Sequence, residues 1–329
     1  MNKEINVPVS QIKIDKLNSY IGDVDCFICS SSYEERCLSI PLALNHNKIN
    51  YVLVTENINF GSIISQNTSK IVSAYKEKAR VIQLDVNKPI YCADNIKNAL
   101  INCKANQASN YLIDITTFTH ESLLILLRLL KDQVNIENTV KFVYTCAEDY
   151  SIGDKGDQKW LSKGVGEIRS ILGYPGDILP TRKMHLILLV GFEVERAKEI
   201  IFSYEPYALS LGYGDAITST AKNISMINFN AYQKILPLFE NVETFNFSCN
   251  DPIQTKNQIL KQVAKYPEHN TVIAAMNSKI STIGVALAAL QDHRIQLCYA
   301  TASQYNFANY SKPSDDCYIF EVDGFCNPG

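Results

Sequence analysis

The chain lacks the sequence marks of the common nucleotide and metal enzymes. It contains no G-x-x-x-x-G-K-[ST] phosphate loop, no G-x-G-x-x-G after a strand, no H-E-x-x-H and no nucleophile-elbow serine. No histidine and carboxylate recur together at metal-ligand spacing. ATPase, dinucleotide dehydrogenase and metalloprotease readings are therefore disfavoured, and no metal or cofactor is expected. Long hydrophobic runs are missing too. Leu123–Leu127 and Leu186–Val190 are the most apolar stretches, far short of the roughly 20 residues that span a bilayer. The opening MNKEINVPVSQIKIDK has no apolar core of the secretory kind, so no membrane association and a cytoplasmic location are expected. An excess of basic charge is also absent. A net charge of −3 argues against bulk nucleic-acid coating, which needs a positive surface.

Cysteine is present without the spacing that would make it a framework. The ten cysteines are scattered, and the one close pair, Cys26-Phe27-Ile28-Cys29, lies in a strand pattern. Residues three apart on a strand point to opposite faces, so these two sulfurs cannot chelate one ion. The expectation is reduced thiols, mostly buried, behaving as small apolar side chains.

With 329 residues, 46% hydrophobic and 20% charged, the chain suits two globular domains of about 150 residues each. The organising stretch is Tyr111–Leu130, YLIDITTFTHESLLILLRLL. Its apolar run reads as a strand covered on both faces, its hydroxyls as a turn, and the rest as a helix. Around it, strands are expected at Asp25–Ser30, Tyr51–Thr55, Val81–Val86 and Val140–Cys146, with helices at Ile63–Ala79 and Asn95–Cys103 between them. Alternation of this kind implies right-handed βαβ units and a mostly parallel sheet. Residues 151–183 read as an ordered connector carrying Trp160, with a helix near Glu167–Leu172.

The second half repeats the first. Val272–Leu290 resembles Leu112–Leu130, 160 positions earlier, and Glu195-Arg196 stands 160 positions after Glu35-Arg36. Tyr144-x-x-Ala147-x-x-Tyr150 returns as Tyr299-x-x-Ala302-x-x-Tyr305. The shared order predicts two tandem Rossmann-like α/β domains arising by internal duplication. Each would be a mostly parallel sheet of five or six strands with helices on both faces. The expected boundaries are 1–150, a connector at 151–183, and 184–329, with a last strand at Asp316–Val322.

If each half has strand order 3-2-1-4-5, the order reverses between strands 1 and 4, where open α/β sheets bind ligands. The recurring loops are those after these two strands. After strand 1, Ser30, Ser31, Ser32, Gly191 and Phe192 are candidates to line a ligand, and Arg36 and Arg196 to add donor forks. The alternatives are helix capping by serine, a surface ion pair for arginine, or contact between the two halves for Glu35, Arg36, Glu195 and Arg196. After strand 4, Thr116, Thr117, Phe118 and Thr119 in one half and Asn277, Ser278 and Lys279 in the other suit a polar anion at a helix N-terminus, with Phe118 stacking on a base. The alternative there is capping by Thr119 or Ser278, with Phe118 in the core. After strand 5, Tyr144, Tyr150, Tyr299 and Tyr305 wall either a pocket or a domain junction. Asp114, Glu148 and Glu35 are candidate catalytic carboxylates and His120 a candidate base. Glu148 and Asp149 face Ser303 and Gln304 in the repeat, so the first half is the better candidate for chemistry.

Two Rossmann-like halves, with a strand leading to Thr116-Thr117-Phe118-Thr119 and a helix, resemble the CRISPR-associated Rossmann-fold sensors and the fused double version of bacterial anti-phage signalling. In those families the turn carries a Thr-Gly-Gly-Thr-Lys-like element, and two domains form one nucleotide pocket. Here the turn has no glycine. The resemblance implies a nucleotide-like ligand, a composite pocket, a role in prokaryotic defence, and a separate effector or partner protein. Two alternatives stand beside it: an enzyme acting on a glycosidic or phosphate bond through a strand-end carboxylate, and a structural subunit of a larger complex.

Overall fold

A computed structural model describes residues 9–105, 108–135, 137–150, 161–215, 229–307, 311–322 and 325. Trp160, Gly153 and Gly156 lie outside them, as does the side chain of Asp149. Two compact units divide the chain. The first takes residues 1–150 together with 311–329, and the second takes 151–310.

The first unit contains β1 (Ser10–Lys13), β2 (Val24–Ser30), β3 (Ile49–Asn57), β4 (Ala79–Leu84), β5 (Asn110–Asp114) and β6 (Thr139–Tyr150). Its short helices are α1 (Leu17–Tyr20) and α2 (Ser39–Ala43), and its long ones α3 (Ser62–Tyr75), α4 (Pro89–Ala105) and α5 (His120–Lys131). The sheet has seven strands, against the five or six expected, and five of them run β4-β3-β2-β5-β6, all parallel, the order 3-2-1-4-5 assumed from the sequence. Both faces are covered, because the strand residues are apolar on both. Phe27, Cys29, Val52 and Val54 pack with Ile71 and Tyr75 of α3. On the other face Cys26 meets Cys103 of α4, with 2.9 Å between the sulfurs. Cys26 and Cys29 thus face opposite sides, and the nine described cysteines are all free thiols.

In the second unit the strands are β7 (Ser162–Lys163), β8 (Ile168–Pro175), β9 (Met184–Val190), β10 (Ala208–Asp215), β11 (Val242–Ser248), β12 (Asn270–Ala275), β13 (Ile295–Ala300) and β14 (Gln304–Tyr305). Its long helices are α6 (Val194–Tyr204), α7 (Pro252–Lys265) and α8 (Lys279–Gln291). The parallel core β11-β10-β9-β12-β13 again has the order 3-2-1-4-5. Leu186, Leu188 and Val190 of β9 bury against Ala197, Ile200 and Ile201 of α6. Helix α8 lies close to α7 because Gly284 has no side chain; a Cβ there would come 2.6 Å from the Pro252 carbonyl and 2.7 Å from Cβ of Thr255. The chain is therefore α/β, with two Rossmann-like sheets, and no described helix is long and apolar enough to cross a membrane.

Three further expectations change. Residues Glu167–Leu172 do not form a helix: Ile168–Pro175 is a strand, antiparallel to β13. Ile168, Ile171 and Leu172 have helix-like spacing, but the unpaired edge of β13 recruits them into the sheet. These residues consequently belong to the second unit's sheet instead of bridging two domains. The last strand, β15 (Ser311–Glu321), pairs antiparallel with β6 and with β1 in the first unit's sheet. A boundary placing residues up to 329 in the second domain therefore divides the chain differently from the fold. Each unit borders its strand 5 with an antiparallel strand, taken before strand 1 in the second unit and from the chain's end in the first.

Candidate functional site

At the switch point of the first unit, β2 and β5 run side by side and their succeeding loops diverge. Those loops are tied down by their own hydroxyls. Thr117 Oγ1 donates to the carbonyl of Ser30 at 2.6 Å. Ser31 donates through its backbone to Thr55 at 2.8 Å and through Oγ to Ile64 at 3.1 Å. Ser32 Oγ accepts from the Glu34 N–H at 3.2 Å, and its carbonyl accepts from Asn67 at 2.9 Å. The serines shape a turn here and cap no helix. The chain then enters a short 3-10 stretch, Glu35–Leu38, with no side-chain cap. Thr119 does cap α5, accepting from the Ser122 N–H at 3.1 Å. Phe118 is 2% exposed, so its ring is core and presents no face for stacking.

Arg36, 3% exposed, is the hub of a buried polar cluster. Its Nη2 and Nε donate to Oε2 of Glu34 at 2.6 and 3.1 Å. Nε also reaches Ser311 Oγ at 2.9 Å, and Nη1 reaches the Thr145 carbonyl at 3.2 Å and Tyr144 Oη at 3.4 Å. Ser311 Oγ in turn donates to Glu34 at 2.6 Å. The guanidinium lies 5.3 Å from the ring centre of Tyr150 and 5.9 Å from that of Tyr144, within cation–π range. Tyr144 and Tyr150 share a hydroxyl contact of 3.2 Å. Arginine suits this setting because its planar fork satisfies several acceptors while staying charged.

Asp114 ends β5 at 2% exposure. It accepts from the N–H of Thr116 at 3.0 Å and from the hydroxyl of the same residue, and Thr116 Oγ1 accepts from the Thr145 N–H at 2.9 Å. Burial pushes its carboxyl up to about 7, opposed by the two Thr116 bonds and by the charge of Arg36. Glu35 and Glu148 are exposed and His120 is half-buried. Of the candidate carboxylates, Asp114 alone is buried.

The second unit repeats two of these bonds and the arginine–glutamate pair. Asn277 Nδ2 donates to the Val190 carbonyl at 2.6 Å, as Thr117 does to Ser30. Arg196 Nη1 donates to the Ala300 carbonyl at 2.9 Å and pairs with Glu193, as Arg36 does to Thr145 and Glu34. Ser278 caps α8 through the Ser281 N–H at 3.0 Å and donates to the Cys249 carbonyl at 2.7 Å. Gly191 admits no side chain, since a Cβ there would collide with the Met276 carbonyl. Phe192 and Lys279 are half-buried, and Tyr299 is buried. Where the first unit has Asp114 and Thr116, the second has Ala274 and Met276, so the buried carboxyl is particular to the first.

The recurring Glu-Arg dipeptide proves half informative. Both arginines occupy equivalent places, but Glu35 and Glu195 are exposed. The acids that hold the arginines are Glu34 and Glu193, two and three residues before them. Sequence reasoning missed these two, along with Thr145 and Ser311. Only the unequal spacing hid the glutamates; Ser311 carried no signal, being 275 residues from Arg36.

No family model and no curated protein matches the chain. Among solved structures, UDP-GlcNAc 2-epimerase from Neisseria meningitidis, bound to UDP-GlcNAc, is similar at 9% identity and a TM-score of 0.24, over 81% of this chain and 91% of that one.

Proposed function

We propose that the chain is a binding module for a nucleotide-like ligand, held at the switch-point crevices of its Rossmann-like units, and that it acts through a separate partner protein in prokaryotic defence. One observation carries this reading: both units brace the crevice with the same two bonds, Thr117 or Asn277 to the end of strand 1, and Arg36 or Arg196 to strand 5. Bracing that is kept in both copies supports a preorganised site, which reduces the ordering cost of binding. The half-buried lip offers hydroxyls, rings and an amide, from Ser30, Thr117 and Tyr144 in one unit and from Phe192, Asn277 and Ser278 in the other. The defence role rests on the resemblance to the CRISPR-associated Rossmann-fold sensors.

The test is to heat-denature protein purified from cells and analyse the supernatant by mass spectrometry. A nucleotide-like mass is expected in the wild type, at least tenfold depleted in Thr117→Ala or Asn277→Ala. A retained ligand indifferent to both changes would place the site elsewhere, and wild-type protein that neither retains nor takes up any nucleotide would end the reading.

A second reading, carboxylate chemistry on a glycosidic or phosphate bond, is favoured by the Asp114 carboxyl at about 7, in the range where a general acid or base operates. It requires turnover of a nucleoside, NAD or ATP that disappears in Asp114→Asn. Equal turnover in that variant and the wild type removes Asp114 from consideration.

A further inference from the structure

Away from the switch points, the first unit has a groove of about 490 Å³ between its edge strand β4 and helix α4. The helix explains the groove. Its core face is Cys92, Ile96, Leu100 and Cys103, each no more than 6% exposed. Beside it runs a second face, with Tyr91, Asn95, Ala99 and Asn102 each one residue before a core position and Asn98 adjoining them, and this face lines the groove. The solvated side of a surface helix ordinarily carries charges, and α4 has Asp94 and Lys97, yet neither lines the groove. An uncharged strip of amides and a phenol overhangs the strands instead.

The floor comes from Tyr51 and Leu53 of β3, and the outer wall from Arg80 to Gln83 of β4. Asn95 Nδ2 donates to the Gln83 carbonyl at 2.9 Å, tying the helix to the edge strand. Arg80 Nη1 is steadied by the carbonyls of Glu77 and Ala79 at 2.9 and 3.0 Å, which holds its charge at the rim. No carboxylate lines the groove, so nothing in it selects a cation. Its size falls within the roughly 300–1,000 Å³ of small-molecule sites.

We propose that this groove binds a nucleobase, as a free nucleoside, at a site independent of the switch-point crevices. Carboxamides present a donor and an acceptor side by side, which complements the amide-like edge of a base. The rings of Tyr51 and Tyr91 supply flat apolar surface for its faces. A sugar by itself would leave that aromatic surface unused.

Saturation-transfer NMR on the full chain tests this, with adenosine, guanosine, cytidine and uridine as probes and ribose and an extended peptide as comparators. Transfer to base protons of at least one nucleoside is expected, with none to ribose. Tyr91→Ala and Asn98→Ala, both at exposed positions, should each weaken that nucleoside roughly tenfold, the worth of one good contact. Lys97→Ala, an exposed residue of α4 that does not line the groove, should leave its affinity unchanged. Absence of transfer from every nucleoside at millimolar concentration overturns the proposal. So does ribose binding as well as the nucleosides, a peptide binding in their place, or nucleoside binding unaltered in Tyr91→Ala and Asn98→Ala.

Discussion

Thr117 Oγ1 donates to the carbonyl oxygen of Ser30 across 2.6 Å, closing the turn after one strand onto the end of its neighbour. The same bond recurs in the second unit, 160 positions later, from Asn277 to Val190. A hydroxyl and a carboxamide do the same work because each needs only one donor within reach of a strand-end carbonyl.

This bond should be measurable. Thr117→Val keeps the shape and removes the donor, leaving a half-buried carbonyl unpaired. The expected loss is about 1–2 kcal/mol, read as a lower urea midpoint with an unchanged slope. An unshifted midpoint would show that the turn holds itself without the bond.

The buried pair of Arg36 and Glu34, 3% and 9% exposed, should behave unlike a surface ion pair. Arg36→Met strands the Glu34 charge and should cost about 3–5 kcal/mol. Adding Glu34→Met should recover at least half of that by removing the stranded charge. A single-variant loss below about 1 kcal/mol, the range of exposed pairs, would contradict the buried geometry.

Gly191→Ala should destabilise the second unit by about 1–3 kcal/mol or more, as overpacking does, because its Cβ collides with the backbone carbonyl of Met276. Backbone cannot swing aside as a side-chain tip can. Thermal unfolding checks it; an undiminished Tm would mean the loop after β12 yields freely.

The two units should respond to pH with opposite signs. The Asp114 carboxyl is raised by burial to about 7, so the native first unit holds a proton that the unfolded chain releases near pH 4. Its contribution is complete below pH 4 and is lost as pH rises to 7, by about 4 kcal/mol. In the second unit, burial and neighbouring His269 press His185 down to about 4. Its contribution is complete above pH 6.5 and is lost as pH falls towards 4, by about 3 kcal/mol. Hydrogen exchange on the full chain, corrected for intrinsic rates, should show β5 better protected at pH 5 than at pH 7 and β9 the reverse. Asp114→Asn should flatten the first trend alone. Parallel trends in both units would refute the assignment.

The chain's own pattern determined the α/β class and the duplication, whereas the 3-2-1-4-5 order in each half, assumed from the sequence, was decided by the strand pairing. Apolar runs with period 2 or 3.6, and a repeat at constant offset, are local properties that survive without knowledge of contacts. Tertiary structure decided whatever depended on a distant partner. Ile168–Pro175 became a strand because β13 offered an open edge, and Ser311–Glu321 joined the first sheet through pairing with β6. Phe118 went into the core, and the arginines chose Glu34 and Glu193 over the adjacent Glu35 and Glu195. Spacing along the chain says which residues are neighbours in sequence, whereas burial and hydrogen bonding are settled among groups that only the folded sheet brings together.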